Sequence, residues 1–401
     1  MAAALRLAEH AGDQELVARL RDRCALAEDL RTYEAFFQAT EAYGWLGVEA
    51  EGFLDEAWLR PLLELETSPA AGRETALRLA EREGVRLFCA EDAREAAEAA
   101  QHFHEHGFVV LLDVLRGQAL AELAALSAEL IRVALRASPM GNRGHHRYSL
   151  GRTTAVAACL APVDSPAVCA VLREVWGSGR FSVQCTGGDF SLPAAEQQEL
   201  HIDMPPRSLA KELYAFNDPA HPERNFLDLP APVVKVYLPL VDFDEATGPP
   251  RFVPGSQWRT AHEDVPSGGP EPPSVRAFCP RGSAIIMDQR VWHGGTPNAS
   301  EVARPMLSVH YAGPWYNEEV LNDGGGMHFY RHHRGAVPAE RLAKLRPEAQ
   351  RLCRHLGPAP GAPSCCAACG CPVACGRTAL WGLREEQERC FCLACWAARF
   401  A

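Results

Sequence analysis

At 401 residues, 47% hydrophobic and 23% charged, the chain can bury at least one full-sized core with appendages, far from the apolar-poor composition of disordered proteins. Lys and Arg number 40 against 51 Asp and Glu, a net charge of −11 that repels phosphate backbones and anionic lipid surfaces and sets nucleic acid aside as a partner.

Residues 1–96 read as a helical N-terminal extension. Asp13 is placed to cap a helix whose stripe is Leu16, Leu20, Cys24 and Ala27, and Gly84 is placed to stop a segment over Arg73–Glu83. The first residues reach charges before any apolar run develops, so no secretory signal is expected. The longest uncharged stretch, Leu356–Gly376, is rich in Pro, Gly and Cys and could not form a spanning helix. With no leader or span, and with Cys24 to Cys353 scattered singly, the expected location is intracellular, in the reducing cytoplasm.

The main domain is expected over 97–335. A helix over Glu91–His106 leads into an unbroken apolar run after Gly107, a buried strand, and a second helix over about Gly117–Arg136 precedes a glycine-rich basic stretch at 141–148. From Phe181 the period changes to two. Short β-rich runs fall at Phe181–Thr186, Glu199–Asp203, Val233–Val241, Val275–Cys279, Ser283–Met287 and Arg304–Tyr311, separated by Gly- and Pro-rich turns. Such a string suggests a sandwich or barrel. A polar excursion at 205–232 is either a lid or a surface insertion. Residues 336–363 read as a helix and a Pro/Gly linker, and 364–401 as a small cysteine-rich module.

His201 and Asp203 are two apart on an expected strand, so both side chains project to one face and can bind one ion; His293 would complete the set. Two imidazoles and a carboxylate on one face of a metal leave positions open for a chelating cosubstrate and O₂, the arrangement of non-haem Fe(II) oxygenases. His262 and Asp264 have the same spacing but lie in a polar stretch with no apolar alternation to hold them on a sheet. Arg304, eleven residues beyond His293, heads an alternating run. Fe(II), Asp203, a dicarboxylate such as 2-oxoglutarate and Arg304 sum to zero charge, and a guanidinium fork suits a carboxylate. Ser308, on the same strand face, could add a hydrogen bond. Lys235 and Tyr237 alternate with Val234, Val236 and Leu238, and either enter the cavity to meet cosubstrate or substrate or face solvent.

The run from Gly282 through Trp292-His293-Gly-Gly to Arg304, the preceding Thr247-Gly-Pro-Pro-Arg-Phe-Val-Pro254-Gly-Ser256, the upstream His201-Ile-Asp203 and the opening Phe103–Leu115 together resemble the phytanoyl-CoA dioxygenase family. The resemblance covers about residues 97–335. It implies an α+β fold with a double-stranded β-helix (jelly-roll, cupin-like) core, Fe(II) as cofactor, 2-oxoglutarate as cosubstrate, and hydroxylation of a small-molecule or acyl-type substrate with release of succinate and CO₂. By the same resemblance His201, Asp203 and His293 take the iron-ligand places and Arg304 holds the distal carboxylate of 2-oxoglutarate. Related halogenases lack the carboxylate, so Asp203 points to hydroxylation. The family's Pro-Gly-Ser-His reads Pro-Gly-Ser-Gln257 in this chain. A catalytically silent β-scaffold with an interaction module is the alternative, and a metal-dependent cupin-type isomerase or hydrolase without 2-oxoglutarate a third.

In the tail, Cys366-x₂-Cys369 and Cys392-x₂-Cys395 are two knuckles with the spacing of a structural Cys₄ zinc site, which a segment this small would need in order to fold. Cys365, Cys371, Cys375 and Cys390 offer other pairings, or the cluster is redox-labile. Such a module is expected to stabilise the protein or dock a protein partner.

Overall fold

A computed structural model of the chain describes residues 13–40, 56–63, 70–137, 141–203, 230–258, 271–316 and 339–357, with a few further positions at 5, 8–9, 337, 368–369, 377–379 and 389–391. Among these, no helix is long and apolar enough to cross a membrane.

Helix α1 (Gln14–Thr40) begins where expected: the Asp13 carboxylate accepts the Leu16 N–H at 2.9 Å. Its buried stripe is not the expected one. Leu26, Leu30, Tyr33 and Phe37, spaced four, three and four apart, pack on the core, while Leu16 is 37% exposed. Tyr33 lies fully inside because its hydroxyl donates to the Leu150 carbonyl at 2.8 Å. Helices α2 (Glu56–Leu63) and α3 (Ala70–Glu83) follow, and Gly84 ends α3 at φ 76°. Strand β1 (Leu87–Phe88) leads to α4 (Ala93–His106), capped by Asp92 and closed by Gly107 at φ 81°. Then come β2 (Phe108–Leu111), α5 (Gly117–Ala137), β3 (Arg147–Arg152) and α6 (Pro166–Trp176).

Strands β4 (Ser182–Ser191), β5 (Val233–Pro239), β6 (Pro250–Phe252), β7 (Val275–Arg276), β8 (Ala284–Asp288), β9 (His293–Gly295) and β10 (Arg304–Ala312) complete two sheets. The large one has seven strands in the order β1-β2-β8-β5-β10-β4-β3, and the small one three, β7-β6-β9. Helices and a large sheet thus share one mixed fold. Alternation splits the large sheet cleanly. Val109, Leu111, Val236, Ile286, Leu307 and Val309 join the helices in one core, while Phe108, Val110, Ile285, Met287 and Met306 turn to the small sheet, where the Phe108 and Phe252 rings stack at 4.5 Å.

Several elements differ from the sequence reading. Glu199–Asp203 forms no strand; only His201 bridges, to His293, with reciprocal N–H to O bonds of 2.9 Å. β3 starts at the end of the glycine-rich basic stretch, and β6 lies in a Pro-rich turn, because pairing with a neighbour can satisfy backbone groups that local propensity leaves open. Helix α6 escaped notice as a short apolar segment. Short helices α7 (Ala339–Leu342) and α8 (Pro347–Leu352) fall in the segment read as helix and linker.

In the tail, β11 (Arg377–Ala379) pairs antiparallel with β12 (Arg389–Phe391), and Cys369 is exposed. Cys366, Cys392 and Cys395 of the expected zinc site lie outside the described residues. His262, Asp264 and nearly all of the 205–232 excursion lie outside them as well.

Candidate metal and cosubstrate site

The His201–His293 bridge sets the two imidazoles side by side, with ring centroids 4.4 Å apart. Asp203 is held two residues further on by its N–H bond to the Gln289 carbonyl at 3.1 Å. His201 Nε2 lies 4.0 Å from Asp203 Oδ1 and His293 Nε2 lies 3.8 Å from Oδ2, and the three prospective ligand atoms fall within 4.8 Å of one another. Each Nδ1 meets a backbone carbonyl, Glu199 O at 3.0 Å and Val291 O at 3.1 Å. A carbonyl only accepts, so it draws the proton to Nδ1 and leaves each Nε2 lone pair aimed at the common point. An irregular segment anchored by one bridge therefore does what a strand was expected to do.

Burial pushes the His293 imidazole down to about 4, which keeps it neutral near pH 7. Burial would raise Asp203, but Lys235, His293 and His201 outweigh it and hold the carboxylate well below its ordinary range. Lys235 and Tyr237 both enter the cavity. Lys235 Nζ donates to Asp203 Oδ2 at 3.2 Å, lies 3.5 Å from Asp189 Oδ2, and sits 4.5 Å over the Tyr237 ring.

These groups line a cavity of about 290 Å³ between β3, β4, β5 and β10 on one side and β9 on the other. Arg304, Met306, Ser308 and His310 alternate along the cavity face of β10. Arg304 is 5% exposed, and its Nη1 donates to the carbonyls of Thr247, Gly248 and Thr296. Ser308 Oγ lies 3.4 Å from His310 Nε2, and His310 Nδ1 lies 2.9 Å from Gln289 Nε2. An amide nitrogen donates, so His310 keeps its proton on Nε2, turned toward Ser308. Burial and then Lys235 push His310 down to about 3.

All seven residues singled out for iron and cosubstrate, His201, Asp203, His293, Arg304, Ser308, Lys235 and Tyr237, line this one cavity. Sequence reasoning missed Arg147, Asp189 and His310, which line it too. His310 had a signal, the same two-residue period that selected Arg304 and Ser308. Arg147 also had one: Arg147-Tyr148-Ser149-Leu150 alternates polar and apolar, hidden behind the glycines of the basic stretch.

A helix-backed large sheet faced by a small one, with two histidines and an aspartate converging between them where they could hold a metal ion, is consistent with a cupin-like fold. The phytanoyl-CoA dioxygenase family model matches residues 103–306, about half of the chain, and the protein belongs to that family. Among solved structures it is similar to the non-heme alpha-ketoglutarate-dependent epimerase SnoN from nogalamycin biosynthesis, with 17% identity, a TM-score of 0.44, 55% of this chain covered and 82% of that one. It is also similar to EvdMO1, at 21% identity and a TM-score of 0.41 over 55% of this chain and 50% of that one. The carbocyclase SnoK from nogalamycin biosynthesis matches at 17% identity and a TM-score of 0.38, over 54% and 83%. At such identities no property of those enzymes transfers to this one.

Proposed function

We propose that the protein is an Fe(II)- and 2-oxoglutarate-dependent dioxygenase, built on a double-stranded β-helix core, that hydroxylates a small-molecule or acyl-type substrate. The observation that carries this reading is the meeting of His201 Nε2, Asp203 and His293 Nε2 within 4.8 Å, each ring oriented by its Nδ1 bond. The donor set fits Fe(II): two imidazoles and one carboxylate that line the same cavity are the ligand types that would hold that ion.

Bound there, iron with 2-oxoglutarate supplies the power to oxidise an unactivated C–H bond, with succinate and CO₂ as co-products. The chain's own residues do the rest. His201, Asp203 and His293 would hold the metal; Asp203 stays ionised because Lys235 lies beside it, and contributes the one negative charge. Arg304 would bind the distal carboxylate of 2-oxoglutarate with the N–H groups its backbone bonds leave over, held in place by three carbonyls. His310, oriented by Gln289, donates toward Ser308, which frees the Ser308 hydroxyl hydrogen for the cosubstrate. The apolar half of the inner face excludes water from one flank of the cavity.

The test is anaerobic titration of the protein with Fe(II) and 2-oxoglutarate. The expected result is the weak visible charge-transfer band of the chelate, followed in air by iron-dependent succinate. Absence of both in intact protein overturns the reading in favour of a silent scaffold; metal binding indifferent to 2-oxoglutarate overturns it in favour of a cupin-type isomerase or hydrolase. The cysteines from Cys24 to Cys353, scattered singly along the chain, support placing the protein in a reducing, cytoplasmic compartment. A zinc-bound tail that docks a protein partner is proposed from its cysteine spacing alone.

A further inference from the structure

The cosubstrate reading uses the Arg304 end of the cavity and leaves the C-terminal end of β3 without a role. Arg147 and Ser149 line the cavity, while Tyr148 and Leu150 pack on the helices, so strict alternation would put residue 151 in the cavity and residue 152 in the core. The pairing with β4 breaks that rhythm. Ser149 stands opposite Asp189 and Arg152 opposite Gly187, three steps along β3 against two along β4, so a bulge turns Arg152 onto the cavity face.

Two glycines hold the bulge. Gly151 takes a left-handed conformation, at φ 58°, and its N–H donates to Ser149 Oγ at 3.0 Å; the Thr153 N–H then rejoins β4 at the Thr186 carbonyl, 2.9 Å away. Across the ladder, a Cβ added at Gly187 would come within 2.7 Å of the Gly151 carbonyl oxygen, so the second glycine makes room for the first. The outcome is one guanidinium brought inward. Burial and then Lys235 push His310 down, and Arg152 acts in the same direction, which puts its charge near that ring. His310 in turn stands opposite Lys235, whose Nζ donates to Asp203.

Charge gives the bulge a purpose. Among the described residues the cavity is lined by five cations, Arg143, Arg147, Arg152, Lys235 and Arg304, and by two carboxylates, Asp189 and Asp203. With histidines counted neutral, that is a surplus of three positive charges in a chain whose net charge is −11. Fe(II) and doubly charged 2-oxoglutarate cancel each other and leave the surplus in place. Positive charge gathered in a cleft of a negative protein draws anions to that cleft. We propose that the substrate carries an anionic group, a carboxylate or a phosphate, and that Arg152 binds it and so determines specificity. The proposal rests on the dioxygenase reading. A guanidinium fork offers either anion two parallel N–H donors, and an anion held at one fixed point restricts how the rest of the substrate lies relative to the metal ligands.

The test uses butyrate, butyl phosphate and butanol, probes that share a carbon chain and differ in charge, on oxygen-free protein saturated with Fe(II) and 2-oxoglutarate so that the cosubstrate's place is filled. Calorimetry gives dissociation constants for the natural protein, Arg152→Gln and Arg152→Lys. At least one anion is expected to bind about tenfold or more tightly than butanol, a preference lost in Arg152→Gln and partly kept in Arg152→Lys. Whichever of butyrate and butyl phosphate binds more tightly identifies the group as carboxylate or phosphate. No preference for an anion in the natural protein overturns the proposal, and so does a preference that survives in Arg152→Gln. Equal weakening of 2-oxoglutarate in that variant overturns it too, because Arg152 would then serve the cosubstrate or the fold. If the natural protein shows no charge-transfer band with Fe(II) and 2-oxoglutarate, the dioxygenase reading itself fails, an outcome visible before any probe is added.

Discussion

The two faces of the seven-stranded sheet are made by the same strands and follow the same alternation, yet they carry opposite chemistry. Facing the helices, β10 presents Leu307, Val309 and Tyr311; facing the small sheet, it presents Arg304, Met306, Ser308 and His310. The inner face is itself divided, apolar across β2 and β8 and polar across β10, β4 and β3. The lesson is that one β-strand serves two masters: its odd positions hold the fold together, and its even positions are released for chemistry because stability is secured behind them. The faces should therefore respond to substitution in separable ways.

The largest effect belongs to the inner face. His293→Ala removes one prospective ligand and should lower iron-dependent succinate formation by about a thousandfold or more, about 4 kcal/mol at 1.36 kcal/mol per tenfold. The urea midpoint should stay close to that of the natural protein. A chelator should abolish the same activity, and added Fe(II) should restore it. Retained turnover in His293→Ala would place the metal elsewhere.

On the outer face the expectation reverses. Leu130 of α5 is fully buried in the helix-side core, so Leu130→Ala should destabilise the fold by about 3 kcal/mol through lost burial and the cavity left behind. Urea unfolding measures the loss, and the 2-oxoglutarate affinity of the folded fraction should not move. A change in that affinity would mean the two faces are coupled.

Arg304→Gln sharpens the comparison within β10 itself. It removes a charged fork from the cavity while leaving the Leu307 side intact, and should weaken 2-oxoglutarate by about one to two orders of magnitude. The effect belongs in KM for the cosubstrate more than in kcat, which steady-state kinetics separates.

How much of this was readable beforehand follows the same division. β10 was legible because its alternation is uninterrupted from Arg304 to Tyr311, and both Asp13 and Gly84 were legible because caps are local chemistry. The three prospective ligands could be picked out through spacing and resemblance. Their support could not: Asp203 is held by the backbone of Gln289 and His201 by that of His293, contacts across about ninety residues with no local signature. Arg147 was passed over because β3 gains its strand character from pairing with β4, after a glycine-rich start that argues against a strand. The stripe on α1 was misread for a related reason. Leu16 and Leu20 repeat at helical spacing, but which side of a helix is buried is decided by what packs on it, and Tyr33 and Phe37 have the partner.

The smallest effect concerns acid. His310 ordinarily titrates near 6.5, and burial together with Lys235 pushes it down to about 3 in the folded protein. The unfolded chain therefore takes up a proton that the folded one refuses, and the stability tied to the neutral ring is complete above pH 6.5 and lost as pH falls toward 3. His293, pushed down to about 4, acts in the same direction over the upper part of that window. In His310→Gln one of these two protons disappears from the balance. The variant gives up the ring's packing at pH 7, but between pH 7 and pH 5 its stability should decline by up to about 2 kcal/mol less than that of the natural protein. Urea midpoints at the two pH values measure the difference. Parallel decline in both proteins would mean that the ring accepts its proton in the folded state, and would remove the reason for treating it as a fixed donor to Ser308.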